Sequence, residues 1–214
     1  MAKQIPKRAI ILKWVWRLGF SIFFYLMLAI TLRYFPINPN VAFLQIKQSE
    51  ITSVPSYFYI FYIHVCSSAF TLLAGFTQFS TFLLKRYPII HKTIGMIYVY
   101  TVVLLSGPSG IYIGYYANGG ITSKISFILL GILWLLFTIL GIRLIKTGNR
   151  IGHEKFMLRS FALAFSAITL RLWKVVLVFF FHPPPMEVYR IIAWLGWIPN
   201  LLLIEWYIIK KYKK

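Results

Sequence analysis

Residues 125–142 read ISFILLGILWLLFTILGI, a run of eighteen residues without a charged side chain. An α-helix rises about 1.5 Å per residue, so this run is close to the roughly 20 residues that cross a bilayer. Five further apolar runs fill most of the chain. The sequence therefore predicts an all-α, polytopic membrane protein, a single transmembrane domain over residues 1–214. Its six helices are predicted at about residues 14–34, 57–84, 89–117, 125–145, 156–181 and 188–209, with one long outer connection at residues 36–56.

The composition supports this class. The 214 residues are 59% hydrophobic and only 13% charged, whereas soluble domains hold about 45–50% apolar and about 25% charged residues. These values exclude an ordinary soluble enzyme and a disordered chain. Because Cys66 is the only cysteine, an intrachain disulfide and a cysteine-based zinc site are excluded as well.

The net charge of +19 comes from 23 Lys and Arg residues against four acidic ones. Such an excess of positive charge could indicate nucleic-acid binding. The connections between the predicted spans, however, alternate between many basic residues and few. Sixteen basic residues fall on one side: Lys3, Lys7, Arg8, Lys13, Arg17, Lys85, Arg86, Lys92, Arg143, Lys146, Arg150, Lys155, Lys210, Lys211, Lys213 and Lys214. Four fall on the other: Arg33, Lys47, Lys124 and Arg190. The positive-inside rule then predicts a multi-pass membrane protein with both termini in the cytoplasm, contacting anionic lipid headgroups and no nucleic acid.

Polar residues inside the predicted spans mark candidate sites, because they are costly in a bilayer. Counting 1.5 Å per residue places His64 and Arg171 at similar heights near the outer face. Ser109 lies close to that level, after a proline that frees a backbone carbonyl. We predict an outward-side ligand pocket lined by His64, Ser109, Arg171 and Lys174. Close packing of small residues is an equally open interpretation for the serine, but it does not explain the histidine and arginine.

An inner polar cluster is predicted at the cytoplasmic level. Gln78, Arg159 and Glu205 lie at similar heights on three helices, and Asn200 lies deeper on the sixth. An unpaired charge at this depth would cost several kcal/mol, so we expect Arg159 and Glu205 to form an ion pair. The simplest role for that pair is to fix the arrangement of the helices.

His91 and His153 stand near the cytoplasmic starts of the third and fifth helices. Two histidines at equal depth on different helices predict ligands for one b-type haem, whose propionates would meet Arg86, Lys92, Arg150 and Lys155. The alternative is a pair of interfacial histidines bonded to backbone or headgroups. No other metal site is predicted.

Five segments in fixed order carry a resemblance. They read GFTQF at residues 75–79, RYPIIHKTIGMIY at 86–98, HEKFMLRSFAL at 153–163 followed by TLR at 169–171, and AWLGWIPNLLLIE at 193–205. Together they resemble the bacterial integral-membrane family catalogued as domain-of-unknown-function family 2306, over about residues 57–205. That family commonly has Trp where this chain has Phe156. The resemblance implies a protein of the bacterial inner membrane and emphasises the histidines and polar residues above, but it implies no activity.

Two functional hypotheses remain open at this stage. The first is a redox protein with haem b at His91 and His153, and a quinone headgroup near His64 and Arg171. The second is a non-redox binder or transporter of a small anionic or lipid-like ligand. A third, structural possibility is an accessory subunit of a membrane complex, or a homo-oligomer, whose polar residues only fix packing. The sequence lacks Asp and the Gly-x-Ser-x-Gly and His-Glu-x-x-His motifs, which excludes the common hydrolases.

Overall fold

A computed structural model describes Trp14 and residues 18–19, 21–22, 25–26 and 28–213. About 85% of the protein is helical, and the described residues contain no strand. The predicted all-α class is therefore confirmed. The chain divides into two compact units, residues 1–46 and 47–214.

In the first unit, the described residues from Trp14 to Leu32 are helical. Much of the predicted first span, with Lys3, Lys7, Arg8, Lys13 and Arg17, lies outside the described residues. A short 3₁₀ helix, Ala42–Lys47, runs to the unit boundary. The connection at residues 36–56, whose fold the sequence left undecided, thus contains helical structure.

The second unit contains ten α-helices among the described residues, and a π-helical segment, Val102–Ser106, joins α4 to α5. The helices are α1 Gln48–Ser53, α2 Pro55–Gln78, α3 Thr81–Arg86, α4 Pro88–Thr101, α5 Gly107–Tyr115, α6 Ile121–Lys146, α7 Arg150–Ala164, α8 Ser166–Phe181, α9 Pro185–Leu195 and α10 Ile198–Tyr212. Four helical stretches of the described chain are long and apolar enough to cross a membrane: Pro55–Gln78, Pro88–Tyr115, Ile121–Lys146 and Pro185–Tyr212. The bent pair α7–α8 makes a fifth if it forms one span.

The predicted second span, residues 57–84, is two helices rather than one. Helix α2 ends at Gln78, and Ser80 begins α3 by accepting a hydrogen bond from Leu83 N on its side-chain oxygen. Serine is a preferred residue at this capping position, because its oxygen satisfies an N–H group that has no partner within the helix. The span is therefore shorter than predicted, and Lys85 and Arg86 close a separate helix.

Three predicted spans are interrupted. The third changes to π-helix over Val102–Ser106, just before Pro108, whose missing N–H weakens the regular ladder. The fifth begins earlier than predicted, at Arg150, and bends by 40° between α7 and α8. The sixth is broken between Leu195 and Ile198, where Gly196 and Trp197 separate α9 from α10.

The core lies where α2, α4, α6 and α7 meet. Tyr98, Val102, Trp134 and Leu163 are buried there, with Trp197 contributed from the break between α9 and α10. Helix α6 packs along α5 and α7, and α10 packs against α7. This arrangement brings the start of α4 and the start of α7 to the same end of the bundle.

Candidate functional site

We call one end of the bundle the basic end, defined by Lys85, Arg86, Lys92, Arg150 and Lys155. His91 and His153 both lie there, one on the first turn of α4 and the other on the first turn of α7. The two rings are close enough to interact electrostatically. The structure therefore brings together the two histidines that the sequence selected as candidate haem ligands.

The ring nitrogens of this pair are incompletely bonded. His153 Nδ1 lies 2.8 Å from the carbonyl oxygen of Gly141 on α6, so this nitrogen carries the proton and donates it. His91 Nδ1 is buried and has no hydrogen-bond partner among the residues that the structure describes. A buried polar atom without a partner is costly, so this nitrogen has bonding capacity that a ligand could use.

A buried polar network lies about two helical turns above the pair. Tyr98 Oη on α4 lies 2.8 Å from Ser160 Oγ on α7, and Trp134 Nε1 donates to the same tyrosine at 3.3 Å. Thr138 Oγ1 lies 2.7 Å from Ser160 Oγ. Tyr98 and Ser160 were not among the predicted site residues, and neither were Trp134 and Thr138. Their i, i+4 spacing in an otherwise apolar helix was the available signal.

His64 has a different environment on α2. Its Nδ1 lies 3.1 Å from the carbonyl oxygen of Ser106 and 3.3 Å from Ser109 Oγ, and its Nε2 lies 3.3 Å from Ser68 Oγ. Since a carbonyl only accepts, the proton belongs on Nδ1, and Nε2 accepts from Ser68. Ser106 Oγ also donates to Ser67 Oγ at 2.9 Å. We call these residues the His64 cluster; it holds α2 against the π-helical segment.

The remaining members of the predicted outer pocket are less closely joined. Arg171 is near enough to His64 for its charge to act on that ring. Its Nη1 donates to the Ala167 carbonyl one turn earlier in α8, at 2.5 Å. Lys174 is exposed. Of the four residues, His64 and Ser109 are in contact, Arg171 is a neighbour, and Lys174 faces outward.

The predicted inner cluster occupies three separate positions. The expected ion pair is present: Arg159 Nε and Nη2 both donate to Glu205, with Nη2 and Oε2 2.8 Å apart. Gln78 lies instead against α4, where a Cβ at Gly95 would be 2.8 Å from its Oε1. Asn200 bonds to the backbone and side chains around the breaks in the fifth and sixth spans.

All four glutamates of the chain are ion-paired. Besides Glu205, Glu154 lies 2.5 Å from Lys211, and Glu50 and Glu187 pair with Lys47 and Arg190. Within the described residues, no group of three or more His, Cys, Asp or Glu is placed to hold a metal ion. His91 and His153 therefore have no third residue of these types placed with them to hold a metal ion in the described part of the chain.

A buried lysine anchors α1 to the end opposite the basic end. Lys47 is 1% exposed, donates to Glu50 at 2.6 Å and also donates to the carbonyl of Tyr116, just beyond the end of α5. Burial acts to raise the pKa of Glu50, but the hydrogen bonds from Lys47 and Ser49 outweigh it and hold that pKa below its ordinary value. This contact was not predicted, since a lysine in a connection gave no sign of burial.

The comparisons with known proteins agree with the fold. Residues 61–208 match the family model DUF2306, described as predicted membrane proteins. This match covers well over half of the chain, and the protein belongs to that family. Neither the curated proteins nor the solved structures contain a significant match.

Proposed function

We propose that this membrane protein binds one b-type haem between His91 and His153 and passes electrons at the basic end of the bundle. We place that end on the cytoplasmic side of the bacterial inner membrane, because it carries most of the positive charge. The observation that carries the proposal is the pairing of two incompletely bonded histidines from different spans at one depth. No carboxylate competes for them, since every glutamate is already ion-paired.

The equal depth of His91 and His153 follows from the hydrogen bond between the residues two turns above them. His91 lies seven residues before Tyr98, and His153 lies seven residues before Ser160, while Tyr98 and Ser160 are hydrogen-bonded. Seven residues are about two helical turns, or roughly 10 Å. Each histidine thus lies on the same face of its helix as the residue above it, that is, on the faces of α4 and α7 that meet at Tyr98 and Ser160.

The orientation of His153 suits ligation. A histidine that binds a metal usually donates its other ring N–H to a carbonyl or carboxylate, which fixes the ring and its tautomer. Gly141 supplies that carbonyl to Nδ1, which directs Nε2 of His153 away from α6. His91 offers the second nitrogen, and ligand binding would satisfy a buried group that now lacks a partner.

The charge at this end suits a haem as well. Arg86, Lys92 and Arg150 are exposed there and could pair with its two propionates. The haem itself would supply one-electron chemistry, with its potential set by the histidines and by burial. The Tyr98–Ser160 network above the histidine pair would limit how deeply the haem could enter the bundle.

The test is an absorption spectrum of the full chain, purified from cells supplied with haem, in the oxidised and dithionite-reduced states. We expect a Soret band and the α and β bands of a six-coordinate b-type haem. His91→Ala and His153→Ala should each reduce the bound haem at least tenfold. His182→Asn is the matched control, because His182 is exposed and its left-handed backbone conformation suits Asn.

Two results would overturn the proposal. One is a wild-type protein that folds but shows no Soret band when haem is supplied. The other is a haem content that is unchanged in both alanine variants, which would mean that other groups hold the haem.

A second candidate function rests on the charge of Arg171 beside His64. An arginine inside the bundle next to a polar cluster could hold the anionic group of a small or lipid-like ligand. In a thermal-shift assay, short-chain phosphatidic acid and inorganic phosphate are the probes. Stabilisation by either probe should disappear in Arg171→Leu and persist in Arg171→Lys, whereas an equal response in Arg171→Leu would refute this role.

A further inference from the structure

Helix α6 begins without a side chain that bonds to its first N–H groups. Its N-cap residue is Gly120, and the first turn contains neither proline nor an acidic residue. The first backbone bond of this helix runs from Lys124 N to the Gly120 carbonyl. The N–H groups of Ile121, Thr122 and Ser123 therefore have no acceptor among the described residues.

The same turn carries a buried hydroxyl group without a partner. Ser123 is fully buried, and its Oγ has no hydrogen-bond partner in the described part of the chain. Helical side chains lean toward the helix N-terminus, and a Cβ at Gly119, just before the N-cap, would lie 2.5 Å from this oxygen. The hydroxyl is therefore directed at the start of the helix. Because an unbonded buried hydroxyl is costly, an acceptor at the helix start would stabilise the protein.

Positive charge gathers around this turn. Lys124 Nζ lies 5.3 Å from the centre of the Tyr115 ring, and no carboxylate pairs with it, since all four glutamates bond to other basic residues. From α9, Arg190 Nε donates to the Gly119 carbonyl at 3.0 Å and so fixes the connection that leads into α6. The helix dipole adds partial positive charge at the same point. The start of α6 therefore combines N–H donors, a hydroxyl and an ammonium group whose charge no described carboxylate offsets.

The start of this helix is also open to a ligand. Gly120, Ile121 and Thr122 are exposed, and a Cβ at Gly120 would have no atom within 4 Å. Gly120 has a φ of 78°, which favours glycine, so no side chain fills the space in front of the N–H groups. Ile121 and Ile125 are exposed on the next part of α6. An anionic group that carries an apolar chain fits this order of surfaces.

We propose that the start of α6 binds a phosphate group at the end of the bundle opposite the basic end. Phosphate oxygens accept hydrogen bonds from several N–H groups at once, so helix N-termini are common phosphate sites. The Lys124 ammonium supplies a charged donor. The exposed isoleucines favour the headgroup of an anionic phospholipid as the source, and free phosphate shares the same chemistry. The site uses none of the residues of the histidine pair or of the Arg171 site.

The test is isothermal titration calorimetry of the purified full chain in an uncharged detergent. Short-chain phosphatidylglycerol and inorganic phosphate are titrated separately, and we expect saturable binding of at least one. Binding of both means that the phosphate group suffices, whereas binding of one alone identifies the lipid or the free ion as the source. Thr122→Glu should weaken the binding about tenfold, because its carboxylate repels phosphate and competes for the N–H groups. Thr122→Gln is the matched neutral control.

Thr122→Glu also separates binding from folding. An acidic residue in the first turn stabilises a helix through its dipole, so this variant should unfold no more easily than the wild type while it binds phosphate less. Lys124→Gln should likewise weaken the binding about tenfold. Lys146→Gln makes the same charge change at the other end of α6 and should leave the binding unchanged.

Three results would overturn the proposal. The first is a wild-type protein that binds neither probe. The second is an affinity that is the same in the wild type, Thr122→Glu and Lys124→Gln. The third is binding that is lost in Arg171→Leu but retained in Lys124→Gln, which would assign the phosphate to Arg171 instead.

Discussion

The His64 cluster and the His91–His153 pair lie in one bundle, but their ring nitrogens differ in what they bond. Both nitrogens of His64 have partners, from the π-helical segment and from α2 itself. The pair at the basic end has one nitrogen on a carbonyl and another buried without a partner among the described residues. A histidine whose two ring nitrogens are both hydrogen-bonded stabilises the protein. A pair that includes an unbonded ring nitrogen can still bond to a ligand. This difference is the reason that the proposed function uses His91 and His153 as ligands and gives His64 a structural role.

The largest difference in the free energy of unfolding is expected between variants that remove a histidine ring from each region. His64→Ala would remove the hydrogen bonds that the ring makes with the Ser106 carbonyl and Ser68, and it would leave a cavity beside the π-helical segment. We expect it to lower the free energy of unfolding by about 3 kcal/mol. His91→Ala, in the haem-free protein, should cost less than about 1 kcal/mol, because it removes an atom that has no partner among the described residues.

Unfolding by heat and by denaturant in detergent measures both variants. Ser106 donates to Ser67 and should hold the local helix contact in either case. Equal losses for His64→Ala and His91→Ala would mean that the two sites do not differ in the way we describe.

Part of this difference could be predicted from the sequence. Depth counting placed His91 beside His153, and Arg159 beside Glu205, because regular helices convert residue number into height. Charge patterning indicated which end each residue occupies. The bend at Phe165 was not predictable, because no proline or glycine marks it. Asn200 holds this bend. The contact joins residues that are far apart in sequence, so helical periodicity does not reveal it.

A smaller effect tests the network above the histidine pair. Tyr98→Phe keeps the ring but leaves Trp134 Nε1 without its acceptor, while Ser160 keeps its bond to Thr138. We expect a loss of about 1–2 kcal/mol in the free energy of unfolding. If haem binds, its spectrum should be retained, since Tyr98 lies two turns above the histidine pair and is not a proposed ligand. Loss of the Soret band with unchanged stability would instead make this tyrosine part of the site.

Alanine substitutions at two glycines should give the smallest difference in stability between the two regions. A Cβ at Gly110 would lie 3.0 Å from His64 Cε1, a ring held on both sides, so the ring would have to leave its hydrogen bonds. A Cβ at Gly95, one turn above His91, would lie 2.8 Å from Gln78 Oε1, the movable end of a flexible side chain. We expect Gly110→Ala to destabilise by about 1 kcal/mol. Gly95→Ala should be neutral or stabilising, because alanine favours the helix by about 1 kcal/mol over glycine.

The same unfolding assay measures this pair of variants, and each is the control for the other, since both add one methyl group to a helix inside the bundle. The sign of the difference matters more than its size. If the ring of His64 moved as easily as the amide of Gln78, both variants would gain stability. The hydrogen bonds to Ser106 and Ser68 would then not fix that ring, and His64 would join the other histidines as a candidate ligand.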